Sequence, residues 1–96
     1  ATRRETLVRM LANLKAIYTR TGDLQRALTA VDAILTLTPD SADDLRDRGL
    51  IYRELGYAPA ALADLRRYGS LSDNGEEIAA LAPILAELEV GSVRVH

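Results

Sequence analysis

The chain has 96 residues, a formal charge of −2, 48% apolar residues, four Tyr, and no Trp, Phe or Cys. That length makes one domain, and its core must be built from Leu, Ile, Val and Ala. Disulfides and thiolate metal sites are excluded, and the slightly acidic total recruits neither nucleic acid nor an anionic membrane surface.

Thr2 and Glu5 have capping-box spacing, which starts a first helix near Arg3. Leu7, Leu11, Leu14, Ile17 and Tyr18 then fall on one helical stripe. The helix is expected to stop near Thr21, because Gly22 accepts the left-handed turn that a β-carbon resists. Asp23 can cap a second helix, whose apolar face is Leu24, Ala27, Leu28, Val31, Ile34 and Leu35. Pro39 bars its continuation.

Ser41, three residues before Asp44, reads as the next cap. Leu45, Ile51, Tyr52 and Leu55 stripe a third helix, in which Gly49 admits a close neighbour and Gly56 closes the end. Pro59 suits the first turn of a fourth helix. Leu62, Leu65 and Tyr68 line it, with an end expected at Gly69. Asp73 or Asn74 can cap a fifth helix carrying Ile78, Leu81, Leu85 and Leu88. Pro83 predicts a kink or break inside it. Gly91 is expected to end regular structure, and the alternating Val93-Arg94-Val95 to form part of a loose tail.

Seven residues recur 34 positions apart: Leu11/Leu45, Ile17/Ile51, Tyr18/Tyr52, Gly22/Gly56, Ala27/Ala61, Leu28/Leu62 and Leu37/Leu71. A helix–turn–helix unit of that period resembles the tetratricopeptide repeat. Leu14, Val31, Ile34 and Pro39 fit the first unit, and Gly49 and Leu65 the second. The resemblance implies an all-α fold of two tetratricopeptide hairpins and a capping helix, five helices in a short right-handed α-solenoid. The expected bounds are 1–90 for the repeat domain, with repeat 1 at about 8–41 and repeat 2 at about 42–75. The capping helix covers about 75–88, and 91–96 is tail.

Some positions depart from the family pattern. Lys15 stands where a small Gly belongs, Arg48 replaces a core Leu, Tyr68 a small Ala, and Asp73 the terminal Pro. Arg48 is expected to lay its stem on the core and expose its head. These changes weaken the second unit more than the first. Asn13-Leu14-Lys15-Ala16-Ile17-Tyr18, Gly22-Asp23 and Arg46-Asp47-Arg48-Gly49-Leu50 are also similar to the C-terminal repeats of bacterial SirB-type proteins. Those repeats follow a transglutaminase-like domain, which implies that this chain is a C-terminal fragment whose enzymatic part lies upstream of Ala1.

No converging catalytic groups are visible. The single His is residue 96, and Ser41, Ser70, Ser72 and Ser92 have no positioned base. Asp40, Asp43, Asp44 and Asp47 lack the glycine-bearing spacing of a calcium loop, and most of them suit the first turn of a helix. No phosphate-binding glycine loop is present. The reading is a non-enzyme with no cofactor and no metal.

The basic residues Arg3, Arg4, Arg9, Arg66 and Arg67 are too dilute, and too short of aromatic neighbours, for a nucleic-acid footprint. Without a signal peptide or an apolar span, the expected location is cytoplasmic. Tyr18 and Tyr52 share one repeat position and read as packing residues, whereas Tyr57 at a turn is the more available contact.

In such repeats the first helix of each unit lines the concave side. The resemblance thus places Arg9, Ala12, Ala16, Thr19 and Arg20 there, with Asp43, Arg46, Leu50, Arg53 and Glu54 from the second unit. The expected contact site is Arg9, Ala12, Ala16, Arg20, Arg46, Leu50, Arg53 and Glu54, with Leu50 as its apolar centre and arginines available to carboxylates. Ala12 and Ala16 occupy two positions at which chaperone-docking repeats hold a terminal carboxylate, so that clamp is missing.

The partner is expected to be a protein, a peptide or the parent protein's own upstream domain. The alternative function is an accessory domain supporting a transglutaminase-like enzyme. A third expectation is a homo-oligomer. Residues 1–26 carry six cations against two acids, and residues 73–96 carry five acids against Arg94. The two ends of neighbouring chains would then attract each other.

Overall fold

The computed structural model describes residues 2–94. They form five α-helices: α1 Arg3–Thr21, α2 Leu24–Leu37, α3 Ala42–Leu55, α4 Ala58–Leu71 and α5 Gly75–Arg94. No strand occurs among the described residues. Each helix packs chiefly against its neighbours in chain order, and the extents are 43 × 29 × 22 Å. This is the stacking of an α-solenoid, in which each unit meets only the next.

The helix ends follow from local chemistry. Thr2 Oγ1 accepts from the Glu5 amide at 3.1 Å, and Asp23 Oδ1 accepts from the Arg26 amide at 3.2 Å. Gly22 and Gly56 have φ of 79° and 86°. After each, the next amide reaches back into the helix: Asp23 N to Tyr18 O at 2.9 Å, and Tyr57 N to Tyr52 O at 2.8 Å. The same left-handed closure therefore ends the first helix of both hairpins.

Other ends differ from expectation. Ser41 occupies the N-cap position of α3 without capping through its side chain. Its hydroxyl donates instead to the Asp44 carboxylate at 2.6 Å, a charge-assisted bond. Asn74 rather than Asp73 caps α5, with Oδ1 accepting from the Glu77 amide at 3.1 Å. Helix α4 runs through Gly69 to Leu71, since Gly69 keeps a negative φ and costs the helix only propensity.

Helix α5 runs unbroken through Pro83 and Gly91 to Arg94. Its apolar face continues on both sides of Pro83, with Leu81 and Leu88 buried and Ile78, Ile84 and Leu85 packed on the core. Burial of that face offsets the roughly 3 kcal/mol that an interior proline costs. Gly91 lies against the start of α4, where a β-carbon would sit 3.4 Å from Ala58 Cβ. The expected loose tail is thus helical over residues 91–94, and Val93-Arg94 is no strand. Val95 and His96 lie outside the described residues.

The core is aliphatic, as the composition requires. Ala27, Val31 and Leu35 of α2 meet Leu45 and Ile51 of α3, Ala61, Leu62, Leu65 and Tyr68 of α4, and Leu81 and Leu88 of α5. A β-carbon on Gly49 would come within 2.8 Å of the Leu65 side chain and 3.3 Å of the Ala61 carbonyl oxygen. That clash explains why α3 is glycine there and how close α4 approaches. Helix α1 buries no residue fully.

Candidate functional site

The first helices of the two hairpins, α1 and α3, are joined by a charged clasp. Lys15 Nζ donates to Asp44 at 2.7 Å and to Asp47 at 2.9 Å. Burial pulls the Lys15 ammonium down, but these two carboxylates outweigh it and hold its pKa above the ordinary lysine value. A lysine in place of the family's glycine is therefore a tie between repeats, and it occupies two of the aspartates whose run invites a metal reading. Of the others, Asp40 pairs with Arg67 and Asp43 with Arg46.

Beside this clasp a groove of about 470 Å³ opens between α1 and α3. Ala16, Leu24, Leu50 and Ile51 give it apolar walls, and Arg20 and Glu54 stand at its edge. Four of the eight expected contact residues meet here: Ala16, Arg20, Leu50 and Glu54. Arg9 is exposed and Ala12 half-buried on α1, and neither lines the groove.

The expected ring of arginines around Leu50 is mostly engaged elsewhere. Arg46 bonds Asp47 at 3.0 Å and also Glu77 of α5. Burial lowers its pKa, yet those partners raise it beyond its ordinary value. Arg53 reaches Glu87 of α5 at 3.1 Å, and its Nε is buried without a hydrogen-bond partner among the described residues. These two arginines hold the capping helix, which leaves Arg20 as the groove cation outside any ion pair among the described residues.

A second network joins α3 to α2 and α4. Arg48 Nε and Nη2 donate to the two carboxylate oxygens of Asp64 at 2.7 and 2.8 Å, and Nη1 to Asp32 at 3.1 Å. Asp64 is 6% exposed. The hydrogen bonds to Asp64 raise the Arg48 pKa against the opposing effect of burial. The arginine also lies 5.7 Å from the centre of the Tyr52 ring. The head of Arg48 is therefore paired and partly buried, not free in solvent. The ordinary hydrophobic rule fails here because Asp64 sits among Ala61, Leu62, Leu65 and Tyr68 and requires a cation. A charged residue inside that apolar stripe is the signal that could have revealed the pair.

Tyr68 is 1% exposed, with the Arg46 guanidinium 5.9 Å from its ring centre. It fills the seam beneath α5. Tyr57 is exposed and meets Tyr52 edge-on, with ring centres 6.0 Å apart. Among the described residues, no three His, Asp or Glu side chains are grouped as metal ligands. No described helix is long and apolar enough to cross a membrane.

The comparisons agree with this geometry. The profile of the tetratricopeptide repeat matches residues 14–86. A UPF0162 protein of Xylella fastidiosa (strain Temecula1) is 38% identical over 96 residues, which are all of this chain and 34% of that protein. The UPF0162 protein YchA of Escherichia coli (strain K12) is 36% identical over 61 residues, 64% of this chain and 23% of that protein. Protein SirB1 of Salmonella typhimurium is 34% identical over 61 residues, with the same coverage of 64% and 23%. The chain spans about a third or less of the length of these relatives. From its matched profile and its paired hairpins, this chain belongs to the tetratricopeptide-repeat family and is related to the SirB1 proteins.

Proposed function

We propose that this domain is a non-catalytic contact module whose α1–α3 groove receives a segment of another protein. The observation that carries the reading is the groove itself: apolar walls from Ala16, Leu24 and Leu50, edged by Arg20 outside any ion pair among the described residues. Such a cleft offers an apolar side chain a dry seat and offers a carboxylate a planar, two-pronged donor. The repeat family is one of protein-contact scaffolds, which supports the general class. The pairing of Arg46 and Arg53 with α5 narrows the recognition element to Arg20.

A photo-crosslinking residue placed at Ala16 in the full-length protein tests this. The expected result is one dominant adduct that Arg20→Glu and Leu50→Asp each weaken. An adduct indifferent to both substitutions, or none at all, removes the groove from consideration.

A second reading is an accessory domain of a larger enzyme, in keeping with the transglutaminase-like neighbour that the SirB resemblance implies. It is favoured by the share of each relative that this chain spans, 34% of the Xylella fastidiosa UPF0162 protein. Deleting these residues from the full-length protein is then expected to lower both its hydrolase or transferase activity and its soluble yield. Unchanged values of both would count against it.

A further inference from the structure

Helix α1 carries a row of large apolar side chains left largely exposed among the described residues. Leu7, Met10, Leu14 and Ile17 recur at helical spacing and are 44, 58, 40 and 42% exposed. The repeat supplies a direct reference for this face. Shifted by 34 positions, the same row is Ser41 at the N-cap of α3 with Asp44, Arg48 and Ile51 within it. There, Ile51 is only 6% exposed, Asp44 binds Lys15 of α1, and Arg48 reaches Asp32 of α2 as well as Asp64 of α4. In the second hairpin this side is thus engaged by residues of both hairpins, and in the first hairpin it is largely exposed.

The residue types sharpen the comparison. Where the row along α3 has a hydroxyl, a carboxylate and a guanidinium, α1 presents leucine, methionine and leucine. A row of this kind is larger than the scattered apolar residues of an ordinary surface. Arg3 prolongs the row by one turn and Arg4 stands beside it. Neither makes an ion pair among the described residues.

We infer that the Leu7–Ile17 face of α1 is the seat of an amphipathic helix supplied by the part of the full-length protein outside these 96 residues. The internal geometry names the kind of occupant, because helix α2 packs against α3 and its Asp32 reaches Arg48 of the matching row. The relatives name its source: this chain fills only 34% of the Xylella fastidiosa UPF0162 protein, so in such proteins much additional chain is tethered to this domain. Tethering raises the effective concentration of a segment to the millimolar range, about enough for a single helix face to stay docked. The occupant carries carboxylates near the end that meets Arg3 and Arg4. This inference shares with the accessory reading only the premise of a longer chain, and it requires neither an activity nor an occupied groove.

The test is thiol accessibility in the full-length protein. Residues 1–96 contain no Cys, so Met10→Cys and, separately, Leu7→Cys introduce unique reporters in this domain, with exposed Glu76→Cys as the reference. Maleimide labelling is followed peptide by peptide by mass spectrometry. Both α1 thiols are expected to react at least about tenfold more slowly than the reference, at every protein concentration, because a covered thiol reacts only through local opening. Rates equal to the reference overturn the inference. Protection that disappears on dilution, together with a dimer in sedimentation, assigns the face to a second copy and overturns it equally. Loss of activity on deleting the domain, with α1 thiols labelled freely, leaves the accessory reading standing and this one refuted.

Discussion

The two hairpins trace one path and differ in what surrounds them. The second is enclosed: α3 lies between α2 and α4, and α5 covers α4. The first is open along α1, where no residue is fully buried. Arg48 and Tyr68 depart from the repeat pattern, yet each is built into the protected hairpin. Arg48 is neutralised by Asp64, and Tyr68 fills the seam under the capping helix. The open hairpin instead keeps a conventional apolar row and leaves it uncovered. A departure from a family pattern is thus no measure of weakness, because its effect depends on the partner that meets it.

The contrast is testable, beginning with its largest expected effect. On residues 1–96 alone, Ile51→Ala should cost roughly 3–4 kcal/mol in urea unfolding, as for a buried large-to-small change. Its repeat counterpart Ile17→Ala should cost about 1 kcal/mol or less, since half-exposed side chains lose little on truncation. Equal losses would erase the distinction between open and enclosed hairpins.

Arg48→Met comes next. It leaves the buried Asp64 carboxylate without a cation, at a cost of about 3 kcal/mol. The double change Arg48→Met with Asp64→Leu should recover most of that, a coupling readable from a double-mutant cycle. If the single change is as mild as the double, the pair does not hold the second hairpin.

Lys15→Met should cost about 1–2 kcal/mol, between an exposed and a buried pair. Its pH signature has a definite sign. Because the folded pKa of Lys15 is raised above 10.5, the stabilisation is complete below that value and lost as pH rises through the folded pKa. Tyr52 acts in the same direction, since burial and the nearby Asp32 raise its pKa above 10.0 and favour the neutral phenol. The difference between wild type and Lys15→Met, followed by urea midpoints, should therefore be flat at neutral pH and shrink above about pH 10.5. A difference that grows with alkalinity would contradict the clasp.

The smallest effects should be alike in the two hairpins. Gly22→Ala and Gly56→Ala each force a β-carbon into positive φ, at about 1 kcal/mol. Neither site has an atom within 4 Å of the new β-carbon, so backbone conformation alone sets the cost. Thermal midpoints shifted unequally would show that the two turns are not equivalent.

Local features were legible in the sequence because their causes are local. Gly22 and Gly56 mark left-handed closures, Thr2 and Asp23 have oxygens within reach of the next amides, and the 34-residue recurrence gives the hairpins and their order. Half of the expected contact residues meet in one groove for the same reason, because repeat position sets the face on which a residue stands. The course of α5 through Pro83 and Gly91 was hidden, since it depends on burial against α4 and not on propensity. Hidden too were the engagements of Lys15, Arg46, Arg48 and Arg53. A long cationic side chain can serve a groove, a partner helix or water, and its choice is made by carboxylates distant in sequence.

From the residues themselves came the hairpins, their phase and the aliphatic character of the core. The fold decided which charges remain available and which apolar rows remain bare. The physical reason is one of range: turns, caps and periodicity act within a few residues of chain, whereas ion pairing and burial are settled only when separate helices are brought together.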